Sequence, residues 1–211
     1  MATASQSLFN MTVASDNAGG NQGLLMPKLQ FRFRVNFLNF GVGSTAGLAL
    51  TKQVIDVTRP NVTFAEIPIQ VYNSTLKLAG KHSWANMTCN IRDDASGSVA
   101  KAVGQQLQKQ MDFVEQASAA TGQDYKFQTN IEILDGGNGA AAPIVLETWE
   151  CYGCFIQTAN YNTLNYATNE AVTIALTLRF DNAIQSPIGS GVGSSIGRTI
   201  GSIATGIGGS L

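Results

Sequence analysis

The chain has 211 residues, 44% of them apolar, enough to bury the core of one sizeable β domain or two small ones. Charged residues make up only 13%, half the roughly 25% of an ordinary soluble domain, and 13 basic against 14 acidic residues leave a net charge of −1. This balance excludes the basic footprint of a protein that grips nucleic acid through its phosphates, and so uncharged a surface is easier to understand if neighbouring subunits cover much of it.

Residues 1–28 are rich in Gly, Asn and Ser, with scattered apolar residues (Phe9, Met11, Leu24, Leu25). They fit neither helical nor strand periodicity and read as an N-terminal arm, extended or disordered. Met1–Asn10 also lacks the basic and apolar regions expected of a signal peptide. In Leu29–Asn39 the residues Leu29, Phe31, Phe33, Val35 and Phe37 alternate with Gln30, Arg32, Arg34 and Asn36, which predicts a half-buried strand. Phe40–Gly47 reads as a Gly-rich turn, Val54–Thr58 as a strand, and Arg59-Pro60-Asn61 as a break. Thr63–Tyr72 and Ser74–Ala79 are β-like with a turn at Asn73-Ser74; Pro68, which has no N–H to give a ladder, requires an edge or an irregular stretch there. Trp84–Ile91 alternates again.

One helix is predicted from Val99, Val103, Leu107, Met111 and Val114, an apolar stripe at near-helical spacing. Ser96 or Ser98 would cap it, with Asp93 and Asp94 at its acid-favouring end. Strands follow at Tyr125–Leu134, Ile144–Tyr152, Phe155–Tyr161 and Ala171–Phe180, with a turn at Asp135–Gly139. The pattern predicts a mainly β fold, an antiparallel sandwich or small barrel with one flanking α-helix and extended terminal arms. Its divisions are an arm over 1–28, a β domain over 29–185 and a Gly/Ser/Ile-rich arm over 186–211. In that last arm Ile188, Val192, Ile196 and Ile200 recur every four residues, each followed by Gly. This spacing fits one face of a strand or nearly one stripe of a helix. The Gly content disfavours a helix, Arg198 and the serines weaken a membrane-helix reading, and disorder is the plain alternative. The reading adopted is an arm whose Ile188, Val192, Ile196 and Ile200 dock on a neighbouring subunit.

No residue set supports catalysis. Cys151-Tyr-Gly-Cys154 lacks the second pair a structural zinc site needs, and strands rather than a strand-to-helix turn flank it, so two inert thiols on a Gly-centred bend are expected. Three cysteines without a secretory signal fit a reducing compartment. His82 is the sole histidine, has no nucleophile elbow to serve, and reads as a solvated or interface residue. Gly41-Val-Gly43-Ser-Thr-Ala-Gly47 misses the dinucleotide-loop spacing, and no helix is expected after it. Glu132, Glu147 and Glu150 alternate with apolar residues and are placed on outward strand faces. The N-x-[ST] triplets at Asn10, Asn61, Asn73 and Asn86 are chance occurrences. No apolar run is long enough for a membrane helix. Catalytic, cofactor and metal sites are therefore expected to be absent.

The stretch Glu66-Ile-Pro68-Ile-Gln-Val-Tyr72-Asn73-Ser-Thr-Leu-Lys77-Leu-Ala-Gly80, followed by Trp84, by Arg92-Asp93-Asp94 before a helix, by Gly153–Ile156 and by Asn169-Glu170 before a last strand, resembles the tail tube proteins of contractile-tailed phages. Pro27 before a long alternating strand belongs to the same pattern. The resemblance spans about residues 27–182 and extends to the related tubes of type VI secretion and contractile injection systems. It implies a β-barrel or sandwich with one helix, hexameric rings stacked into a hollow conduit, and assembly with sheath and baseplate proteins. DNA would pass the lumen without specific binding, and no membrane is implied. The location implied is the virion tail, assembled in the host cytoplasm. By the resemblance Arg59–Gly80 is a ring-stacking element, with Arg59, Asn61, Phe64, Glu66, Ile67, Pro68, Tyr72, Asn73 and Lys77 as contact residues. The two arms and Phe40–Leu50 lie outside the family pattern. Readings left beside it are a secretion or injection tube, a tube-initiating baseplate protein, and a small β-barrel enzyme or ligand binder using His82 and the cysteines.

Overall fold

The computed structural model describes residues 28–43, 46–135, 143–167 and 169–186. The two arms, Pro27 and the turn at 136–139 lie outside the described residues. The strands are β1 (Phe33–Leu38), β2 (Val54–Val57), β3 (Val62–Val71), β4 (Ser74–Trp84), β5 (Met87–Arg92), β6 (Met111–Asp112), β7 (Ala117–Ser118), β8 (Phe127–Leu134), β9 (Val145–Asn160), β10 (Thr173–Arg179) and β11 (Asn182–Ser186). The helices are α1 (Ala46–Gln53), α2 (Ser98–Gln110) and the single turn α3 (Gly122–Tyr125). The fold is mainly β and antiparallel, as the alternation predicts.

Strand β9 organises it. Residues Ile144–Tyr152 and Phe155–Tyr161, expected as two strands, form one strand of 16 residues bent at Gly153. Its first half pairs with β8 on one edge and β11 on the other, and β8 pairs with β1. Its second half pairs with β10, then β5, then β2. The bend has a steric reason: Gly153 has φ +66°, and a Cβ there would lie 2.2 Å from the Asp181 carboxylate. Only glycine fits this conformation without strain. Asp181 N–H donates to Tyr152 O at 3.0 Å, which carries the chain from β10 into β11, a strand the alternation did not reveal.

The core lies between the two layers. Val35, Phe37, Phe127, Ile131, Trp149 and Cys151 enter from one, and Met87, Cys89, Ile91, Ile156, Ile174, Leu176 and Leu178 from the other. Helix α2 closes the core with Val99, Ala102 and Val103. It is shorter than predicted: Met111 begins β6, and Val114 is exposed. Its cap also differs. Gly97 is the N-cap at φ 67°, and the Asp94 carboxylate accepts the Ser98 N–H at 2.8 Å and the Ser96 and Ser98 hydroxyls. Hydrogen bonds from Ser96, then Ser98, hold the Asp94 carboxyl down at about 2.

Helix α1 corrects the expected turn at Phe40–Gly47, and a helix does follow the Gly41–Gly47 run. Gly47 is not a turn residue: a Cβ there would lie 2.2 Å from Phe37 O, so glycine lets α1 pack directly against β1 and bury Leu50. Two glutamines of α2 do work that hydrophobic periodicity cannot reveal. The buried Gln106 accepts Gly41 N–H at 2.9 Å and donates to Tyr125 O, tying together the glycine turn and α3. Gln110 both donates to Ile156 O and accepts Ile156 N–H, each at 2.9 Å, and so satisfies the open edge of β9 as a strand would.

Glu147 is not on an outward face; its side chain is 6% exposed. The carboxylate accepts Trp149 Nε1–H at 2.7 Å, Gln185 Nε2–H at 2.8 Å and the Lys28 ammonium. Phe31, in contrast, is exposed, because β1 begins at Phe33. Burial pushes the Glu147 carboxyl up, and the bonds from Lys28, Gln185 and Trp149 outweigh it, leaving the group below its ordinary 4.5. Its contribution to stability is therefore complete above about pH 4.5 and is lost as the pH falls through the depressed folded value. Glu147→Gln is expected to lower stability at pH 7 by about 2 kcal/mol and to remove this part of the acid sensitivity. Denaturant unfolding followed by tryptophan fluorescence at neutral and acid pH checks both.

Candidate assembly surface

Among the described residues, β3 and β4 pair only with each other and stand apart from the other sheets. Residues directly opposite across a ribbon share a face. The register places Ile67 against Leu78, Ile69 against Leu76, and Val71 against Ser74. Alternating with these, Glu66 faces Ala79, Pro68 faces Lys77, and Gln70 faces Thr75. One face is thus Ile67, Ile69, Val71, Leu76 and Leu78, and nothing among the described residues covers it. The least exposed of the five, Ile69, is still 41% exposed. The other face is polar, with Lys77 bridged to Glu66 at 2.9 Å and Thr75 donating to Gln70 at 2.8 Å. Tyr72 at the tip is wholly exposed, in a left-handed conformation at φ 49°.

Glycine 80 makes the ribbon's irregularity possible. The register shifts between Phe64 and Glu66, and a Cβ on Gly80 would lie 2.9 Å from Ala65 O and 3.1 Å from Ile67 Cγ1. Pro68 is tolerated because a two-stranded ribbon is all edge. At the base, Trp84 packs on Phe180 with centroids 5.5 Å apart, and His82 lies between Phe64 and Trp84, 6.2 Å from each ring. His82 is exposed and in contact with aromatic rings rather than with a nucleophile.

The structure therefore gathers Phe64, Glu66, Ile67, Pro68, Tyr72, Asn73 and Lys77 on one ribbon, with Arg59 and Asn61 in the segment leading into it. It divides them: Ile67 is on the apolar face, Tyr72 and Asn73 form the tip, and Phe64, Glu66, Pro68 and Lys77 lie on the opposite side. Ile69, Val71, Leu76 and Leu78, absent from the sequence-derived set, form most of the apolar face. The alternation along Val62–Val71 carries the signal for Ile69 and Val71, and that along Ser74–Ala79 for Leu76 and Leu78. Ile188, Val192, Ile196 and Ile200 lie outside the described residues. Beyond the ribbon, β1, β2 and β11 each have one edge unpaired among the described residues.

Nothing in the described residues resembles a reaction centre. No three His, Cys, Asp or Glu side chains converge as a metal set. No helix among them is long and apolar enough to cross a membrane. Cys151 and Cys154 flank the Gly153 bend and point inward, and Cys89 lies across the core. Burial pushes all three thiols up, Cys89 to about 12 and Cys154 to about 11. The thiolate fraction at neutral pH is then negligible. An aromatic disulfide reagent at pH 8 is expected to titrate none of them in the folded chain and all three after denaturation, read by the released chromophore.

No protein-family model matches the sequence, and no curated protein matches it. Solved structures do resemble the fold. A chain of the sheath–tube complex of an extracellular contractile injection system (PVC) in its extended state superposes with a TM-score of 0.55 and 15% identity, covering 77% of this chain and 93% of that one. A chain of the anti-feeding prophage (AFP) tube-terminating cap gives 0.54 and 14%, covering 83% and 99%. A chain of the six-fold symmetrised AFP baseplate gives 0.54 and 14%, covering 77% and 97%. At these identities the likeness is one of fold.

Proposed function

We propose that this chain is a structural subunit that assembles through its β3–β4 ribbon and its open strand edges into stacked rings, forming the hollow tube of a contractile tail-like machine. The observation that carries this reading is the uncovered face of Ile67, Ile69, Val71, Leu76 and Leu78. An isolated two-stranded ribbon is marginal in water, and an exposed apolar face of this kind marks a site that another surface covers. The fold it shares with chains from a sheath–tube complex, a tube-terminating cap and a baseplate supports the same reading. So do the free edges of β1, β2 and β11, which pairing around a closed ring would satisfy.

The finer assignment follows the sequence resemblance: a phage tail tube, in hexameric rings, with sheath and baseplate proteins as partners and the genome passing through the lumen. A near-neutral chain suits a conduit that must not retain its cargo. The likeness to a tube-terminating cap supports a second reading, a single terminal ring. The two differ in whether stacking continues: a tube subunit forms long hollow filaments by negative-stain microscopy, whereas a terminator forms rings alone, and a monodisperse monomer at high concentration rejects both.

Leu76→Asp with Leu78→Asp is expected to leave the subunit folded by circular dichroism. Covering a leucine contributes about 1.5–3 kcal/mol, so the pair should raise the concentration needed for assembly about a hundredfold or more. Sedimentation velocity across a dilution series reads this. Removing 187–211 tests the docking role proposed for Ile188, Val192, Ile196 and Ile200: assemblies should form but dissociate at lower denaturant or after shorter dilution, and unchanged persistence removes the role.

A further inference from the structure

The antiparallel strands β5 and β10 give the body two ends. Leu178 stands opposite Met87 at one, and Thr173 opposite Arg92 at the other. The ribbon is rooted at the first end, where Ala85 N–H donates to Asn61 O at 2.9 Å and Trp84 packs on Phe180. At the second end β9 and β10 are joined through residues 161–167 and 169–172. Asp93 N–H donates to Val172 O at 2.9 Å, fastening this loop to the segment that starts α2.

That loop is an uncovered apolar surface of the body among the described residues. Leu164 is 79% exposed, Tyr166 wholly so, and Tyr161 and Val172 are nearly half exposed. Together with Asn162 and Thr173 they line a hollow of about 430 Å³, room enough for an aromatic side chain. The two ends also carry opposite charge. The ribbon segment 59–84 holds Arg59, Lys77 and Lys81 against Glu66. The loop end holds Glu170, Asp93 and Asp94 against Arg92.

We infer that the ribbon of one copy docks by its apolar face and its Tyr72 tip on the Tyr161–Tyr166 loop of the next copy. This rests on the tube reading and adds the surface that receives the ribbon. A contact of ribbon with ribbon would be self-complementary and close after two copies, and it would set like charges against each other. Ribbon on loop joins opposite charges and leaves a free ribbon and a free loop after each addition, as continued stacking requires. The ribbon has the reach for it: ten residues of strand extend about 30 Å. Tyr72 offers at its tip the kind of rigid aromatic anchor that dominates such contacts.

The three native thiols are buried, so introduced surface cysteines can be oxidised selectively. The full chain carrying Tyr72→Cys and Tyr166→Cys, assembled and treated with a mild oxidant, should run on a non-reducing gel as a ladder of dimers, trimers and higher species. A mixture of the two single variants should stop at dimers, and neither single variant alone should cross-link. Asn73→Cys with Asn165→Cys repeats the test with both tyrosines kept. Dimers from either tip variant alone would show ribbon-on-ribbon pairing and overturn the inference. Tubes visible by microscopy without any ladder from either pair would overturn it while leaving the tube reading in place. A chain that never assembles overturns both.

Discussion

The bend at Gly153 is the constraint on which the body depends. A single strand can belong to two packed layers only if it turns sharply between them, and here one residue makes that turn. Its left-handed backbone and the Asp181 carboxylate pressed against it leave no room for a side chain. The consequences spread along both neighbours. The opposite edge must break at the same level, so β10 ends at Arg179 and β11 begins at Asn182. Lys126 bridges to Asp181 at 2.6 Å and fixes the start of β8 against the corner. Cys151 and Cys154, three positions apart on either side of the bend, both face the core. The C-x-x-C spacing is thus a by-product of a bulged strand: a separation of three, which strict alternation would put on opposite faces, here leaves both thiols facing inward.

The body and the ribbon follow opposite rules. In the strands of the body the inward positions are apolar, and the outward faces are closed by neutral or paired polar groups: Asn36 and Arg34 on Glu132, Gln128 on Asn130, Asn90 on Asp56, Asn86 on Gln157. Side chains spent on such ladders need little net charge, which accounts for the unusual composition. In the ribbon the apolar residues are outside. Its stability therefore depends on what it contacts, whereas the body has a buried core of its own.

The sequence discloses those parts of the fold that alternate. β1, β5, β8 and β10 are read from period-two patterns because each has one wet and one dry face. The ribbon's two strands are also read from the sequence, and the resemblance to tail tube proteins draws attention to them, but their register is not: the turn is Tyr72-Asn73, one residue before the expected Asn73-Ser74. What stays hidden depends on close approach or on polar pairing. Gly47 looks like a turn residue until Phe37 O is seen lying against it. Glu147 alternates like a surface residue, yet it is the acceptor on which Lys28, Trp149 and Gln185 converge. Gln106 and Gln110 sit on a helix whose apolar stripe says nothing of the backbone groups they satisfy. Leu164 and Tyr166 lie in a segment with no period at all, and Tyr161 at the end of an expected strand, so nothing before the structure marks them as a surface.

The topology also sets an order of events in a newly made chain. Ribbon partners are near in sequence, from Val71 with Ser74 out to Val62 with Trp84. The body needs partners such as Phe33 and Ile133, which are a hundred positions apart. Hairpins close in about 1–10 μs, whereas sheets built from distant pairings take milliseconds to seconds. The adhesive element therefore closes, and reopens, while the body that must aim it is still unfolded. Newly synthesised chains face a race between intramolecular closure and premature association, and its outcome is set by concentration and by the rate at which chains are delivered. Growth of the assembly is then governed by the supply of completed subunits as well as by the strength of the contact between them.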